Sequence, residues 1–198
     1  LIAWARGVDV DNEDNDFSIT DARPWILGAP IHSRPLPINY GAVGGYTVNN
    51  PNIRIFFGTN DGFFHGLENT TIAGGESGKE IFSFIPRELL GNLAILRAND
   101  GSNRLPYGMD GEPVALVIDN NANGNIEVDK ADKVFVYIGM RRGGKSYYAF
   151  DVSNPSATPT LQWKITKTTN GDFDELGYTF STPTVAKVRF DGTDRDVL

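Results

Sequence analysis

The sequence predicts an all-β protein of short antiparallel strands, and three observations carry that expectation. The chain holds 22 glycines, 11 prolines, 17 asparagines and 17 aspartates. A third of its 198 residues therefore belong to types that end helices and build turns. Between these punctuating residues lie short apolar, aromatic or β-branched runs, the usual form of strands. Finally, those runs recur in the same order along the chain, which is the mark of a repeat architecture. Hydrophobic residues make up 40% and charged residues 22%, so the chain can bury a core and is not disordered. The net charge of −7 argues against nucleic acid and against an anionic membrane surface, both of which need surplus Lys and Arg. With no cysteine, disulfides, Cys–Zn sites, Fe–S clusters and thiol catalysis are excluded. No apolar run approaches the roughly 18 residues of a spanning helix.

The repeat is read block by block. One copy runs Asn52-Ile-Arg-Ile-Phe-Phe-Gly58, Gly62-Phe-Phe-His-Gly-Leu-Glu68 and Lys79-Glu-Ile-Phe-Ser-Phe84. The next runs Lys133-Val-Phe-Val-Tyr-Ile-Gly139, Lys145-Ser-Tyr-Tyr-Ala-Phe-Asp151 and Leu161-Gln-Trp-Lys-Ile165. Gly58 aligns with Gly139, Glu68 with Asp151, and Phe82 or Phe84 with Trp163. A further block precedes each trio, at His32-Ser-Arg-Pro35 and Asp110-Gly-Glu-Pro113, and Ser181-Thr-Pro183 opens a third copy. Proline suits the first position of a strand, so it marks the head of each unit. Four antiparallel strands per unit, repeated radially, describe a β-propeller blade. The expected architecture is a segment of a modified β-propeller with about two and a half four-stranded blades. It comprises an acidic lead-in over 1–30 and a propeller segment over 31–198, with units at 31–100, 108–167 and 178–198. The closing stretch from Arg189 to Leu198 reads as a turn and a strand cut off at its start, as in a piece of a longer polypeptide. One short helix is expected over Ile85–Leu96, with proline in its first turn and leucines at 89, 90, 93 and 96 forming a stripe for the blade core.

The constellation with sharp chemistry is Asp119-Asn-Asn121-Ala-Asn123-Gly124-Asn125-Ile126-Glu127-Val-Asp129-Lys-Ala-Asp132. Oxygen-bearing side chains fall at relative positions 1, 3, 5 and 9, on Asp119, Asn121, Asn123 and Glu127. Gly124 permits the sharp bend, Ile126 is placed to plug the loop onto the core, and the Asn125 carbonyl offers a further oxygen. All donors are hard oxygens with no His or Cys beside them, which selects Ca²⁺ over zinc or copper. Position 12, where an EF-hand carries its bidentate glutamate, is Lys130. Asp129, Asp132 or water is left to complete the shell. A second acidic run, Asp9-Val-Asp11-Asn-Glu13-Asp-Asn15-Asp16, lacks a glycine at the bend; a solvated linker is its first reading and a weak calcium site its second.

Catalytic readings find little support. His32 and His65 are the sole histidines, and both sit inside repeat motifs where a hydrogen-bonded structural role is expected. Ser33, Ser146 and Ser181 lack the strand–turn–helix setting of a nucleophile. The stretch Gly139-Met-Arg-Arg-Gly-Gly-Lys145 joins two strands with no helix to present amides to a phosphate, so it reads as a turn. No catalytic residue is expected.

These motifs together resemble the C-terminal propeller domain of the PilC/PilY-type family of type IV pilus biogenesis factors and tip adhesins. The carrying residues are Trp4-Ala-Arg-Gly7, Leu27-Gly-Ala-Pro-Ile-His32-Ser33, Phe57-Gly-Thr-Asn-Asp61-Gly62, Phe84-Ile-Pro86-Arg-Glu88, the loop at 119–129, Arg141-Arg142-Gly143-Gly144 with Tyr148-Ala-Phe-Asp151, and Leu176-Gly177-Tyr-Thr-Phe-Ser181-Thr-Pro183. The resemblance implies a non-enzymatic domain with an EF-hand-like calcium site that influences pilus extension and retraction and supports adhesion or twitching motility. It further implies minor pilins or the pilus tip as partners, host or surface receptors engaged through an upstream region, and a location on the cell surface, outside the cell, or in the periplasm at the outer membrane. Carried over, the family's ligand pattern falls on Asp119, Asn121, Asn123, Asn125 (main chain) and Glu127, with Asp129 able to join. Position 3 is neutral here and position 9 is one methylene longer. Two other propeller classes share some of these features. A quinoprotein dehydrogenase is suggested by Gly78-Lys79-Glu-Ile-Phe82 and Leu161-Gln-Trp163, but the chain has no cysteine and no quinone-stacking tryptophan arrangement. An integrin-like adhesive propeller would carry calcium loops in several blades, and one convincing loop occurs here.

Overall fold

The structure, a computed structural model, describes residues 1–101 and 105–198. In chain order its elements are α1 (Ile2–Ala5), β1 (Leu36–Asn39), β2 (Ile53–Gly58), β3 (Phe64–Glu68), β4 (Glu80–Phe84), α2 (Asn92–Ala98), β5 (Val114–Ile118), β6 (Lys133–Gly139), β7 (Ser146–Asp151), β8 (Thr160–Thr166), β9 (Ala186–Phe190) and β10 (Thr193–Val197). Strands β1 to β4 form one four-stranded sheet in sequence order, β5 to β8 form a second, and β9 pairs with β10. Among the described residues every pairing is antiparallel and no strand is exchanged between sheets. The all-β propeller segment expected from the repeats is the observed architecture.

The two sheets match residue for residue. Leu36 pairs with Phe56 as Val114 pairs with Tyr137, and Gly58 pairs with Phe64 as Gly139 pairs with Tyr147. Each carries an irregularity at the same place between its third and fourth strands, at Gly66/Leu67 and at Ala149/Phe150. Such a shift inserts a residue and increases local twist. The register also settles the one open alignment. Phe82 faces Gly66 as Trp163 faces Ala149, so Trp163 corresponds to Phe82. Trp163 stacks on Tyr137 of its own sheet, with centroids 5.7 Å apart.

The shared core lies between the sheets. The ring of Phe150 sits 5.2 Å from Phe64, 5.7 Å from Phe82 and 5.1 Å from Phe84. The inward residues of β6, namely Val134, Val136 and Ile138, are fully buried, as the period-2 geometry of a strand requires. Burying each large apolar side chain contributes roughly 1.5–3 kcal/mol, so the face between sheets is the main source of stability.

Close backbone contact fixes how one unit meets the next. The Met109 amide donates to the Thr59 carbonyl at 3.0 Å, and Arg141 donates to Thr179 at 3.2 Å. The end of each second strand thus meets the lead-in of the following unit. A Cβ on Gly58 would overlap the Met109 carbonyl oxygen, and one on Gly139 would come within 3.0 Å of the Thr179 carbonyl. The repeated glycine is there for that approach.

Two expectations need correction. The helix expected over Ile85–Leu96 is split into a 3-10 turn at Arg87–Leu89 and α2 at Asn92–Ala98. Gly91, a poor helix former, stands at the break with open space around it. Its stripe still packs inward through Leu89 and Leu93. The acidic run is solvated over Asp14–Asp16 but not at its start. Asp9 is fully buried and accepts from the Glu13 amide at 2.8 Å. Asp11 pairs with Arg97 of α2 at 2.6 Å, and Glu13 takes both the Trp4 indole N–H and Arg23.

Glu88 ties the 3-10 turn to the second sheet. Its carboxylate accepts from the Tyr148 hydroxyl, from Ser146 Oγ at 3.0 Å and from Lys164 Nζ at 2.9 Å. Partial burial raises its pKa, but the Tyr148 hydroxyl and the Lys164 ammonium outweigh that and hold it below the ordinary carboxylate value.

Two predictions follow from these contacts. Gly58→Ala is expected to destabilise by about 3 kcal/mol or more, because backbone must move to admit the methyl. Gly177→Ala, where the Cβ meets open space, should stay within about 0.5 kcal/mol; urea unfolding of both checks the pair. For Glu88, a depressed folded pKa means its contribution is complete above the unfolded value of about 4.3 and is lost as pH falls through the lower folded value. Glu88→Gln should therefore flatten the acid limb of the stability–pH profile, and unchanged acid limbs would refute the assignment.

Candidate metal centre

The loop sits between paired strand ends. Ile118 and Lys133 are partners across β5 and β6, and the fourteen residues between them must reverse the chain. Three positive-φ residues do so: Ala122, Gly124 and Ala131, at φ 55°, 77° and 62°. A 3-10 turn over Val128–Lys130 leads back to β6.

Asp119, Asn121, Asn123 and Glu127 are drawn together by hydrogen bonds. The Asp119 carboxylate accepts from the Gly124 amide at 2.8 Å and the Asn123 amide at 3.4 Å. Asn121 Oδ1 accepts from the Asn123 amide at 3.2 Å, and Asn123 Oδ1 from the Asn125 amide at 2.7 Å. The side-chain NH₂ groups of Asn121 and Asn123 both donate to Glu127 Oε2, at 3.2 and 2.7 Å. Two amide dipoles thus stand with their positive ends toward one carboxylate oxygen. Each amide oxygen has two lone pairs and spends one on a backbone N–H.

The remaining candidates have other work. Asn125 turns its side chain out of the loop, and its Oδ1 accepts from the Ala42 amide at 2.8 Å; only its main-chain carbonyl can serve the loop. Asp129 lies in the 3-10 turn, largely exposed, and pairs with Lys130 at 3.1 Å. Asp132 is fully buried and clamps the loop ends, accepting from the Glu127 and Asn120 amides at 2.9 Å each. Those two N–H donors hold its carboxyl below the ordinary value. Its oxygens are directed at the backbone, so its role is to shape the loop.

Ile126 plugs the loop as the sequence suggested: it is 4% exposed and joins the main core cluster. Its amide donates to the Tyr40 carbonyl at 3.0 Å. Tyr40, fully buried, sends its hydroxyl to the Val152 carbonyl at 2.7 Å. The loop of the second sheet is therefore fastened to the first sheet through Tyr40, Gly41 and Ala42. A Cβ on Gly41 would clash with Asn125 and Gly124, which is why the neighbouring loop carries glycine there.

The histidines found partners that sequence spacing had not nominated. His32 Nδ1 lies 2.8 Å from Asp110, which is buried. Both residues stand three places before a marker proline, so the repeat itself could have paired them. His65 lies between Glu80 at 2.6 Å and the Thr59 hydroxyl at 3.1 Å. That trio has the atom types of a nucleophilic triad, but Thr59 is 1% exposed and its hydroxyl also bonds Asp61. It is a packed hydrogen-bond chain. Among the described residues, the carboxylates of Asp14, Asp16 and Asp21 also approach one another within 4.8 Å, on the surface.

Comparison with known proteins places this architecture. Residues 37–193 match the family described as the PilY1 beta-propeller domain. A type IV pilus biogenesis factor PilY1 homolog of Xylella fastidiosa (strain Temecula1) is 31% identical over 210 aligned residues, covering 97% of this chain and 15% of that protein. The type IV pilus biogenesis factor PilY1 of Pseudomonas aeruginosa (strain UCBPP-PA14) is 34% identical over 203, covering 93% of this chain and 16% of that protein. The crystal structure of the Pseudomonas aeruginosa PilY1 C-terminal domain aligns with a TM-score of 0.43 and 27% identity, over 69% of this chain and 22% of that one. The chain thus spans about one sixth of the length of these curated relatives. Four strands per sheet in sequence order, the matching registers and the family match over most of the chain lead to one assignment: this chain belongs to the PilY1 β-propeller domain family.

Proposed function

We propose that this chain is a calcium-responsive propeller segment of a type IV pilus assembly and tip adhesin factor, acting without catalysis. The observation that carries the reading is the convergence of Asp119, Asn121, Asn123 and Glu127 in a loop fastened to the neighbouring sheet. The donor set fits the ion. All four side chains offer hard oxygens, the two carboxylates balance a divalent charge, and the Asn125 carbonyl adds a main-chain oxygen. Asp129 is near enough in sequence to join from the following turn. A Ca²⁺ ion held by these residues would supply the positive charge that two amide NH₂ groups now offer to Glu127.

The chain's own residues do the rest. Asp132 holds the loop ends together, and Ile126 and Asn125 transmit the loop's position to Tyr40 and Ala42. A filled loop is stiff and keeps the two sheets at a fixed angle; an empty one has two carboxylates and no cation between them, and loosens. With only two carboxylates in the set, affinity belongs in the micromolar to millimolar range of sensors and extracellular modules. That range suits a segment sampling calcium at the cell surface or in the periplasm, where it would bias pilus extension against retraction, and with it adhesion and twitching motility. Minor pilins or the pilus tip are the partners this reading calls for, with host or surface receptors engaged through other regions of the longer protein.

Titration calorimetry tests the ion. Wild type should release or absorb heat with Ca²⁺ and bind far more weakly as Asp119→Ala, with circular dichroism unchanged. In cells the same substitution should alter twitching while leaving secretion intact. No calcium heat in wild type, or equal heats in both proteins, would reduce the loop to an ordinary hairpin.

A further inference from the structure

The turn that joins β6 to β7 carries positive charge that the chain does not neutralise. The net charge of the whole is −7, yet Arg141, Arg142 and Lys145 stand together in this one turn. Among the described residues Arg142 and Lys145 form no ion pair, and Arg141 Nε comes only within 3.9 Å of the Asp110 carboxylate. Each cation faces an aromatic ring instead. Arg141 lies 5.7 Å from the centre of Phe180, Arg142 5.4 Å from Tyr107 and Lys145 5.4 Å from Tyr178. Arg142 Nη1 also donates to the Tyr107 hydroxyl at 3.0 Å.

The backbone sets these groups around one opening. Thr179 is 2% exposed; its amide donates to the Gly144 carbonyl at 3.3 Å, and its hydroxyl accepts from the Met140 amide at 2.8 Å. Tyr178 and Phe180 flank it in extended chain and so turn the other way, 59% and 48% exposed. On the opposite side a Cβ on Gly143 would overlap the Gly108 carbonyl, a close approach that brings Tyr107 beside Arg142. Between the two sides lies a cleft of about 410 Å³, lined by Leu105, Pro106, Tyr107, Arg142, Tyr178 and Phe180. Its volume is that of a small-ligand site.

The lining selects its occupant. Exposed cation–π pairs are weak, and a carboxylate offers these cations stronger, charge-assisted hydrogen bonds. A purely apolar ligand would leave the cations unused, and a small inorganic anion would leave the rings in water. A single-stranded nucleic acid could stack on the rings, but its phosphates need a longer basic track, and the rest of this acidic chain repels them. An extended peptide with an apolar side chain between acidic residues meets both halves of the lining. Grooves walled by aromatic rings suit such extended, proline-containing segments.

We propose that this cleft docks an extended acidic segment of a partner protein, with proline or another apolar residue seated against Tyr107, Tyr178 and Phe180 and its carboxylates paired with Arg142 and Lys145. Charge complementarity carries the choice of partner, since the patch is basic on an acidic surface. The docking needs no calcium, so it stands or falls separately from the loop at 119–132.

Fluorescence anisotropy of the intact chain tests it, using labelled hexapeptides with two acidic residues on each side of a central Pro-Leu, Pro-Phe or Leu-Leu pair. At least one is expected to bind with a Kd of about 10–100 μM, more weakly as salt is raised. Exchanging the acids for Gln and Asn, or the central pair for Ser-Ser, should each weaken binding about tenfold. Arg142→Glu, Lys145→Glu and Tyr178→Ser change exposed side chains and should each do the same, with thermal melting unchanged. Lys187→Glu reverses a lysine outside the cleft, one paired with Asp196, and should leave binding as it was. No binding of any peptide up to about 1 mM, or equal binding of the Gln and Asn peptide, would overturn the proposal. So would an equal loss in Lys187→Glu, which marks unspecific attraction, or tighter binding of an oligothymidylate than of every peptide, which marks a nucleic-acid surface.

Discussion

At Gly58 the backbone of one sheet approaches the Met109 carbonyl so closely that a side chain has no room. Much of the rest of the structure depends on that approach. It brings the amide of Met109 within hydrogen-bonding distance of Thr59 and sets the second sheet beside the first. Only then can Phe150 fit among Phe64, Phe82 and Phe84. A four-stranded sheet has two apolar faces and cannot cover both by itself, so each unit needs a neighbour. The same contact recurs where Gly139 meets Thr179, one unit further on. There the third hairpin, β9 and β10, is exposed along its whole length.

The loop between β5 and β6 adds a second tie at the other ends of the strands. Its contacts to the first sheet are few and specific: Ile126 to Tyr40, and Asn125 to Ala42. Its own interior is a balance of charge. Asp132 and Asp119 accept from backbone N–H groups and Glu127 from two asparagine side chains, all of them neutral donors. Neutral donors stabilise a carboxylate less than a cation does. The fold thus supplies a frame, and the loop holds Asp119 and Glu127 within it; under the proposed function, added positive charge there stiffens the frame. Lys130 does not fill that place, because it turns to Asp129.

Much of this was legible in the sequence for a physical reason: repeated geometry demands repeated residues. Pro35 and Pro113 head equivalent strands, and Gly58 and Gly139 end equivalent strands, because each stands in the same environment. That Asp119, Asn121, Asn123 and Glu127 gather in one hydrogen-bonded loop was legible because a tight loop turns alternate residues to the same side; that they hold an ion belongs to the proposed function. What stayed hidden were partnerships between distant residues. Glu88 with Tyr148, Asn125 with Ala42 and Asp11 with Arg97 leave no trace in local spacing. The acidic run looked solvated because composition cannot show that Asp9 is buried and bonded to its own turn. The choice between Phe82 and Phe84 as the match for Trp163 rested on a shift in strand pairing, which no alignment of apolar runs reveals. The helix broke because Gly91 costs helix stability just where Leu89 and Leu93 are pinned by the core.

Under the proposed function, a cation in the loop tightens the join between the two sheets. Amide hydrogen exchange, followed with calcium and with chelator, measures it most directly. Calcium should slow exchange at Gly124, Asn125 and Ile126 within the loop and at Ala42 across the join, while Val136 and Ile138 in the centre of β6 stay as protected as before. Exchange at Ile126 and Ala42 that is the same in both buffers would contradict the claim, whatever heat the ion produced.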